Sequence, residues 1–390
     1  MKGRREPALQ FLRLLRRHPR YAAGLLRKKL RLARRYRWIR RHPDRCDRVP
    51  PPLVYKLVLT YRCNLDCRGC FQWGEGGWCR REKAEEVAGE IDLELVERLL
   101  ARVGPGRPDF ILTGGEPLAY SRFADLAGLL GRYRCHTTIC TNGTLLGRQQ
   151  EITARNPYLA WLVSLDGPSR VNDAIRGAGV YDLVVEGIRR LKGMNRPPWV
   201  GIQCTIRPEN VSLLFSFCRE MADLGVDWIL LNPFWFVTEA EARAYESLLA
   251  EHFRITPREH RGFLAPFAID ADLFASQFEA IQAADWPIQI SSYFRNTEDM
   301  RLYLEEPDAL VGDRRCHKQW IRADITPRGE IAPCIQFPDL LAGSLQERSI
   351  MELWNGPVYA RLRGILRRGP LPICARCNNI YLYDAQRKTL

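Results

Sequence analysis

No apolar run in this chain approaches the roughly eighteen to twenty residues that a membrane-spanning helix needs, which argues against a transmembrane protein. The N-terminal MKGRREPALQ has no uninterrupted hydrophobic stretch and no small-residue cleavage site, so a secretory signal is not expected. Internal repeats and low-complexity tracts are also missing, apart from arginine enrichment near the start. The body lacks a charge excess: residues 1–48 hold eighteen Lys and Arg against three acids, leaving forty-one bases and forty-two acids elsewhere. The net charge of +14 is therefore the property of one arm. A nucleic-acid-binding metalloprotein is disfavoured, since a neutral body would leave all polyanion binding to that arm.

Cysteine is what the sequence does have. Thirteen of them in 390 residues is the wrong number for complete disulfide pairing. A cytosolic, reducing address is expected, and there clustered cysteines more often bind metal or do redox work.

The arm, residues 1–52 with its Pro50-Pro51-Pro52 linker, reads as basic and helical. One helix follows Pro7, with Ala8, Phe11, Leu12 and Leu15 at helical spacing. A second runs from Tyr21 to Arg41, setting Leu25, Leu26 and Leu30 against Arg27, Lys28, Lys29 and Arg31. Residues 1–48 are thus expected to dock on an anionic membrane surface at its inner, cytoplasmic face, or else to stay solvated or meet a partner.

From residue 53 the pattern changes to short apolar runs alternating with helical stretches. Strands are expected at Val54–Thr60, Asp109–Thr113, Thr137–Thr141, Leu159–Leu165, Val200–Ile206 and Trp228–Leu231. Helices are expected over 91–103, 121–132, 148–155, 180–193 and 210–224. Six strands alternating with five helices argue for an α/β fold, a partial (β/α)6 barrel of parallel strands. Ligands gather at the C-terminal ends of such strands. Cys63, Gly114, Asn142 and Asp166 follow the first four. The core is placed at 53–234 and a helix-leaning connector at 235–315. Residues 316–390 form a small region expected to contain a hairpin, turning at Arg328-Gly329, and a helix.

Cys63, Cys67 and Cys70 make a CxxxCxxC immediately after a strand. Three thiolates on one loop can hold three irons of a [4Fe–4S] cube and leave the fourth iron open. A closed structural zinc site would need a fourth ligand. Downstream, Cys316, Cys334, Cys374 and Cys377 could close either a second [4Fe–4S] cluster or a zinc site.

With Gly114-Gly115-Glu116-Pro117, Thr141-Asn142-Gly143 and Ser164-Leu165-Asp166-Gly167-Pro168 at successive strand exits, residues 53–234 resemble the radical S-adenosylmethionine (radical SAM) superfamily. The resemblance implies that the open iron chelates SAM, and that an electron from a reductant such as flavodoxin or ferredoxin cleaves it. The resulting 5′-deoxyadenosyl radical takes hydrogen from a substrate. It also implies that Gly114, Gly115 and Glu116 face the methionine amino group and that Ser164 and Arg176 bind ribose and carboxylate. Phe234 would fall near the position covering the adenine. Gly69 departs from the pattern, which has an aromatic residue before the third cysteine, and Phe71 or Trp73 is expected to supply the missing packing. Cys316-x12-Gly329-x4-Cys334 resembles the start of the SPASM/Twitch extension. The absence of further cysteines favours the shorter Twitch form, with one auxiliary [4Fe–4S] cluster.

The remaining cysteines, Cys46, Cys79, Cys135, Cys140, Cys204 and Cys218, are expected to be mainly buried structural thiols. Cys79 and Cys204 are the two weighed as hydrogen-atom donors. The substrate is expected to be a membrane lipid or lipid-linked molecule, or alternatively a ribosomally made peptide.

Overall fold

The computed structural model describes residues 14–377, apart from 83–86, 104–106, 265–267, 295, 307–308 and 312–314. Six strands form where the apolar runs stand: β1 (Val54–Val58), β2 (Asp109–Thr113), β3 (Thr137–Thr141), β4 (Leu159–Ser164), β5 (Trp199–Ile206) and β6 (Trp228–Pro233). Two more join at the edges, β7 (Gln289–Ser292) beside β6 and β8 (Arg322–Ile325) beside β1. Every pairing is parallel, in the order β7-β6-β5-β4-β3-β2-β1-β8. Among the described residues the protein is thus an α/β partial barrel of eight strands rather than six.

Helices α2 (Leu93–Val103), α3 (Phe123–Arg132), α4 (Gln150–Arg155), α5 (Ser169–Arg176), α6 (Val180–Lys192) and α7 (Leu214–Asp223) connect successive strands. They cover the outer face, where Tyr55, Leu57, Phe110, Leu112, Ile139, Trp161 and Ile202 join one core with Leu99, Leu126 and Ile188. Because side chains alternate along a strand, the register puts Lys56, Ile111, Thr138 and Asp324 on the inner face. Val58, Thr113 and Cys140 stand one inward-facing row further on.

The second arm helix, α1 (Pro19–Arg41), lies across the N-terminal ends of the strands. Tyr21 stacks on Trp199 with ring centroids 4.8 Å apart. His18 meets Asp227 at 2.9 Å, and Arg31 donates to the Arg107 carbonyl at 2.7 Å. Arg35, buried, donates to the carbonyls of Pro51 and Trp320. At about 1.5 Å per residue the helix is roughly 34 Å long, enough to cross a barrel end. Its charge is therefore partly spent on backbone carbonyls, which the reading of α1 as a free basic arm did not include. Leu15, Leu26 and Leu30 remain exposed. Phe11 and Leu12, named with them, lie outside the described residues, as does most of the first helix. No helix among the described residues is long and apolar enough to cross a membrane.

The connector supplies α8 (Glu239–Phe253), α9 (Ala271–Ala283), β7 and α10 (Thr297–Glu305). Beyond β8 the chain turns back at Gly329, whose φ is +76°, and Ile325 bridges Ile331 antiparallel. The Ala332 N–H donates to the Asp324 carbonyl at 3.0 Å, closing the hairpin. Helices α11 (Ile350–Trp354) and α12 (Pro357–Arg368) follow.

Candidate active site

The loop after β1 folds on itself so that its three thiols face one region. The Cys70 N–H donates to the Cys67 carbonyl at 3.0 Å, and the Gly74 N–H to the Cys70 carbonyl at 2.8 Å. A Cβ on Gly74 would sit 2.6 Å from the Cys70 backbone, so only glycine lets the loop close this tightly. The Leu65 N–H points at Cys63 Sγ (3.5 Å) and the Trp73 N–H at Cys70 Sγ (3.4 Å), an arrangement that favours sulfur carrying negative charge. Burial pushes the Cys63 thiol up to about 11, with Cys67 and Cys70 adding to the shift as neighbouring thiols. All three cysteines are half-buried at the barrel mouth.

The glycine pair explains how the loop is held. A Cβ on Gly114 would come within 2.2 Å of the Thr60 carbonyl oxygen, and one on Gly115 within 2.3 Å of those of Tyr61 and Arg62. The Gly115 and Glu116 N–H groups donate to Thr60 and Arg62 at 2.9 and 2.8 Å. Glu116 is fully buried, and its carboxylate accepts from the Leu118 N–H (2.9 Å), Thr141 Oγ1 (2.7 Å) and the Asn142 N–H (2.7 Å). The side chain ties the exit of β2 to that of β3. Two of these donors reach Oε1 and one reaches Oε2.

On the opposite side, Ser164 ends β4, half-buried. Asp166 is buried and accepts from the Thr205 N–H (2.7 Å) and from Arg176 (2.8 Å). The end of α5 touches the cysteine loop, since the Arg68 N–H donates to the Ile175 carbonyl at 2.8 Å. Arg176 thus lies beside the loop, with its Nε buried and without a hydrogen-bond partner.

A residue missed in the sequence stands here. Arg207, just past β5, lays its guanidinium 4.6 Å over the Phe234 ring. It also presses on Gly69, whose added Cβ would lie 2.8 Å from one guanidinium nitrogen. Gly69 has φ of +72°, a conformation that glycine adopts without strain. Arg207 Nε, too, is buried without a partner. Arg207 therefore fills the space beside Gly69, which was expected to fall to Phe71 or Trp73. Phe71 stacks instead on Phe263 (4.6 Å), and Trp73 donates to the Tyr61 carbonyl (2.7 Å). In the sequence Arg207 belongs to RPEN after a strand, which reads as a turn. Trp78 and Trp235 are buried in the core.

Cys316 and Cys377 are buried, and Cys334 and Cys374 half-buried. The four come together from three segments: the Cys374 thiol feels Cys377, Cys316 and Cys334 as neighbours, burial being the larger influence that pushes it up. The Cys377 N–H donates to the Cys374 carbonyl at 3.0 Å. Among the described residues, no three His, Cys, Asp or Glu side chains close on a point as they would round a single metal ion. Three thiols on one loop and four from three segments are the ligand numbers of an open and a closed [4Fe–4S] cluster.

Of the remaining cysteines, Cys204 points outward into the core near Cys218, with Asn210 Nδ2 3.9 Å from its sulfur. Cys79 is buried with Val58, Tyr61 and Trp78. Cys140, expected to be a buried structural thiol, is instead half-buried on the inner barrel wall.

The comparisons agree with this geometry. Residues 57–214 match the radical SAM superfamily, and residues 316–378 match SPASM, an iron–sulfur cluster-binding domain. The matched domain is SPASM, although the cysteine count suits its shorter Twitch form. Fe-coproporphyrin III synthase of Methanosarcina barkeri is 30% identical over 84% of this chain and 80% of its own. Pre-heme d1 synthase of Dinoroseobacter shibae is 29% identical over 86% and 80%. Mycofactocin maturase of Mycobacterium tuberculosis is 28% identical over 86% and 77%. Among solved structures, Streptococcus suis SuiB bound to S-adenosylmethionine shares the fold with a TM-score of 0.61, at 16% identity over 85% of this chain and 71% of that one. The chain belongs to the radical SAM superfamily and carries an SPASM iron–sulfur domain at its C-terminal end.

Proposed function

We propose that this radical SAM enzyme abstracts hydrogen from a carboxylate-bearing tetrapyrrole seated at the barrel mouth. The observation that carries the catalytic half is the convergence of Cys63, Cys67 and Cys70 between the Gly114-Gly115 brace and two arginines with unpartnered buried nitrogens. A [4Fe–4S] cluster on these thiolates supplies the electron for reductive cleavage of SAM. Around it, backbone carbonyls near Gly114 and Gly115 accept from the methionine ammonium, while Glu116 holds that segment in place. Arg176 or Arg207 pairs with the methionine carboxylate, and Ser164 meets the ribose. Phe234, covered by Arg207, lines the adenine side. Cys316, Cys334, Cys374 and Cys377 hold an auxiliary cluster, and a small electron-transfer protein of the flavodoxin or ferredoxin type serves as reductant.

Support for the tetrapyrrole comes from the two tetrapyrrole-modifying relatives at 29% and 30% identity. A second reading, a membrane lipid or lipid-linked substrate, is favoured by Leu15, Leu26 and Leu30, exposed beside basic residues near the start of the described chain. Under it, the full chain floats with anionic liposomes in moderate salt and a chain starting at Val49 does not. Deuterium-labelled candidates separate the substrates. Label passing into 5′-deoxyadenosine from a tetrapyrrole supports the first reading; label from a lipid or a peptide replaces it.

A further inference from the structure

The inner wall of the barrel holds one lysine, Lys56, whose ammonium has no hydrogen-bond or ion-pair partner among the described residues, beside a carboxylate that is already engaged. Asp324 is fully buried, and its Oδ1 accepts from Arg322 Nε at 2.7 Å. Its Oδ2 meets Lys318 Nζ at 2.8 Å and a second Arg322 nitrogen at 3.2 Å. Lys318 also donates to the Pro333 carbonyl. This carboxylate is fully engaged by two cations. Lys56 stands next to it in register on β1, half-buried, and its ammonium has no hydrogen bond or ion pair among the described residues.

Other titratable groups stand near this lysine, with Cys316 an electrostatic neighbour of Lys318. Cys140, on the adjacent inward row, is a thiol, and Glu116 is held by its three donors. Asp109 lies in the row below, where Lys28, Arg31 and Arg27 of α1 are its charged neighbours. Burial, and after it the charge of Arg322, pushes the Lys56 ammonium down to about 8. An uncompensated ammonium in such a wall is costly, and an anion placed against it removes that cost. The location is also informative. Lys56 lies on the strand that delivers the cysteine loop, below Cys140 and above Tyr36 and Leu32 of α1, which pack with Val54 and Ile111 at the barrel's lower end.

We propose that Lys56 is a substrate-binding residue: its ammonium receives a carboxylate that the substrate extends down the barrel, with the Lys318–Asp324–Arg322 cluster fixing the wall behind it. This rests on the reading of the substrate as a carboxylated tetrapyrrole. Arg322 and Lys318 hold Asp324 and are positioning residues, whereas Lys56 meets the ligand.

The probe is coproporphyrin III, a tetracarboxylate, added to the anaerobically reconstituted full-length enzyme with SAM; its tetramethyl ester is the uncharged control. Porphyrin absorbance and tryptophan quenching give affinities for wild type, Lys56→Met and Lys56→Arg. Iron content and melting temperature report an intact barrel in each. Loss of one charge-assisted contact corresponds to roughly ten- to a hundredfold weaker binding of the acid in Lys56→Met. Lys56→Arg is expected to recover most of it, while the ester binds wild type and Lys56→Met alike. Equal binding of the acid by wild type and Lys56→Met overturns the role of Lys56 and leaves the tetrapyrrole reading standing. Failure of wild type to bind the acid removes that reading and this proposal together.

Discussion

The two cysteine sets of this protein are built in opposite ways. Cys63, Cys67 and Cys70 sit within eight residues of one loop, so their meeting is written into local backbone turns and the close approach of Gly114 and Gly115. Cys316, Cys334, Cys374 and Cys377 come from three segments and meet only because β8, the hairpin and α12 fold round them. The first set has three thiols beside arginines with unpartnered nitrogens; the second has four and two are buried. Three ligands suit an open, reactive centre and four a closed one.

That contrast is sharpest when each set is removed. Replacing Cys316, Cys334, Cys374 and Cys377 by alanine is expected to cost roughly four of about eight irons. The same change frees a loop of some forty residues and lowers stability by about 3 kcal/mol or more, the scale of a cross-link closing such a loop. Iron analysis and denaturant melts of the reconstituted protein check both. Loss of iron without loss of stability would make this set electronic only.

A smaller effect separates the two arginines of the mouth. Arg176 already has Asp166 in an ion pair at 2.8 Å, whereas Arg207 makes no side-chain ion pair among the described residues and lies against the Phe234 ring and Gly69, with Asp166 and Glu209 as charged neighbours. Arg207→Ala is expected to weaken SAM binding roughly ten- to a hundredfold, or about 1.5–3 kcal/mol, and Arg176→Ala by less. Equilibrium dialysis with labelled SAM orders them; the reverse order assigns the carboxylate to Arg176.

At the far end of the barrel the expected effect is a dependence of stability on pH. His136 is buried against Tyr21 and Gly24 of α1, and burial, aided by Lys28 and Arg27, pushes its imidazole down to about 3. The unfolded chain takes up a proton near 6.5 and the folded one does not, so stability present above 6.5 is lost as pH falls below it. Between pH 7 and pH 5 this is about 2 kcal/mol, and His136→Gln should remove that part of the slope in urea melts. An unchanged slope would mean that α1 lifts away before His136 titrates.

How much of this could be read from the sequence follows the same division between local and distant. The cysteine loop and the six central strands were legible because spacing and apolar runs are local signals. The helix bounds were legible to within a few residues for the same reason. β7 was not, because QISS has four residues and is polar. The limb that becomes β8 was legible as half of the hairpin turning at Arg328-Gly329, but its parallel pairing with β1 was not, because RADI carries two charges that the fold turns inward onto each other. Arg207 was hidden because its role exists only across the barrel mouth. The basic arm was misjudged in part because Arg31 and Arg35 find backbone carbonyls that no charge count reveals.

The central claim is that chemistry starts at the loop and not at the C-terminal set. Its most direct test is 5′-deoxyadenosine formation from SAM under reducing, anaerobic conditions in the Cys63/Cys67/Cys70→Ala triple variant. The account predicts roughly four irons still bound, a folded protein and no 5′-deoxyadenosine above the cofactor-free background. Continued 5′-deoxyadenosine formation by the iron-loaded triple variant would contradict it.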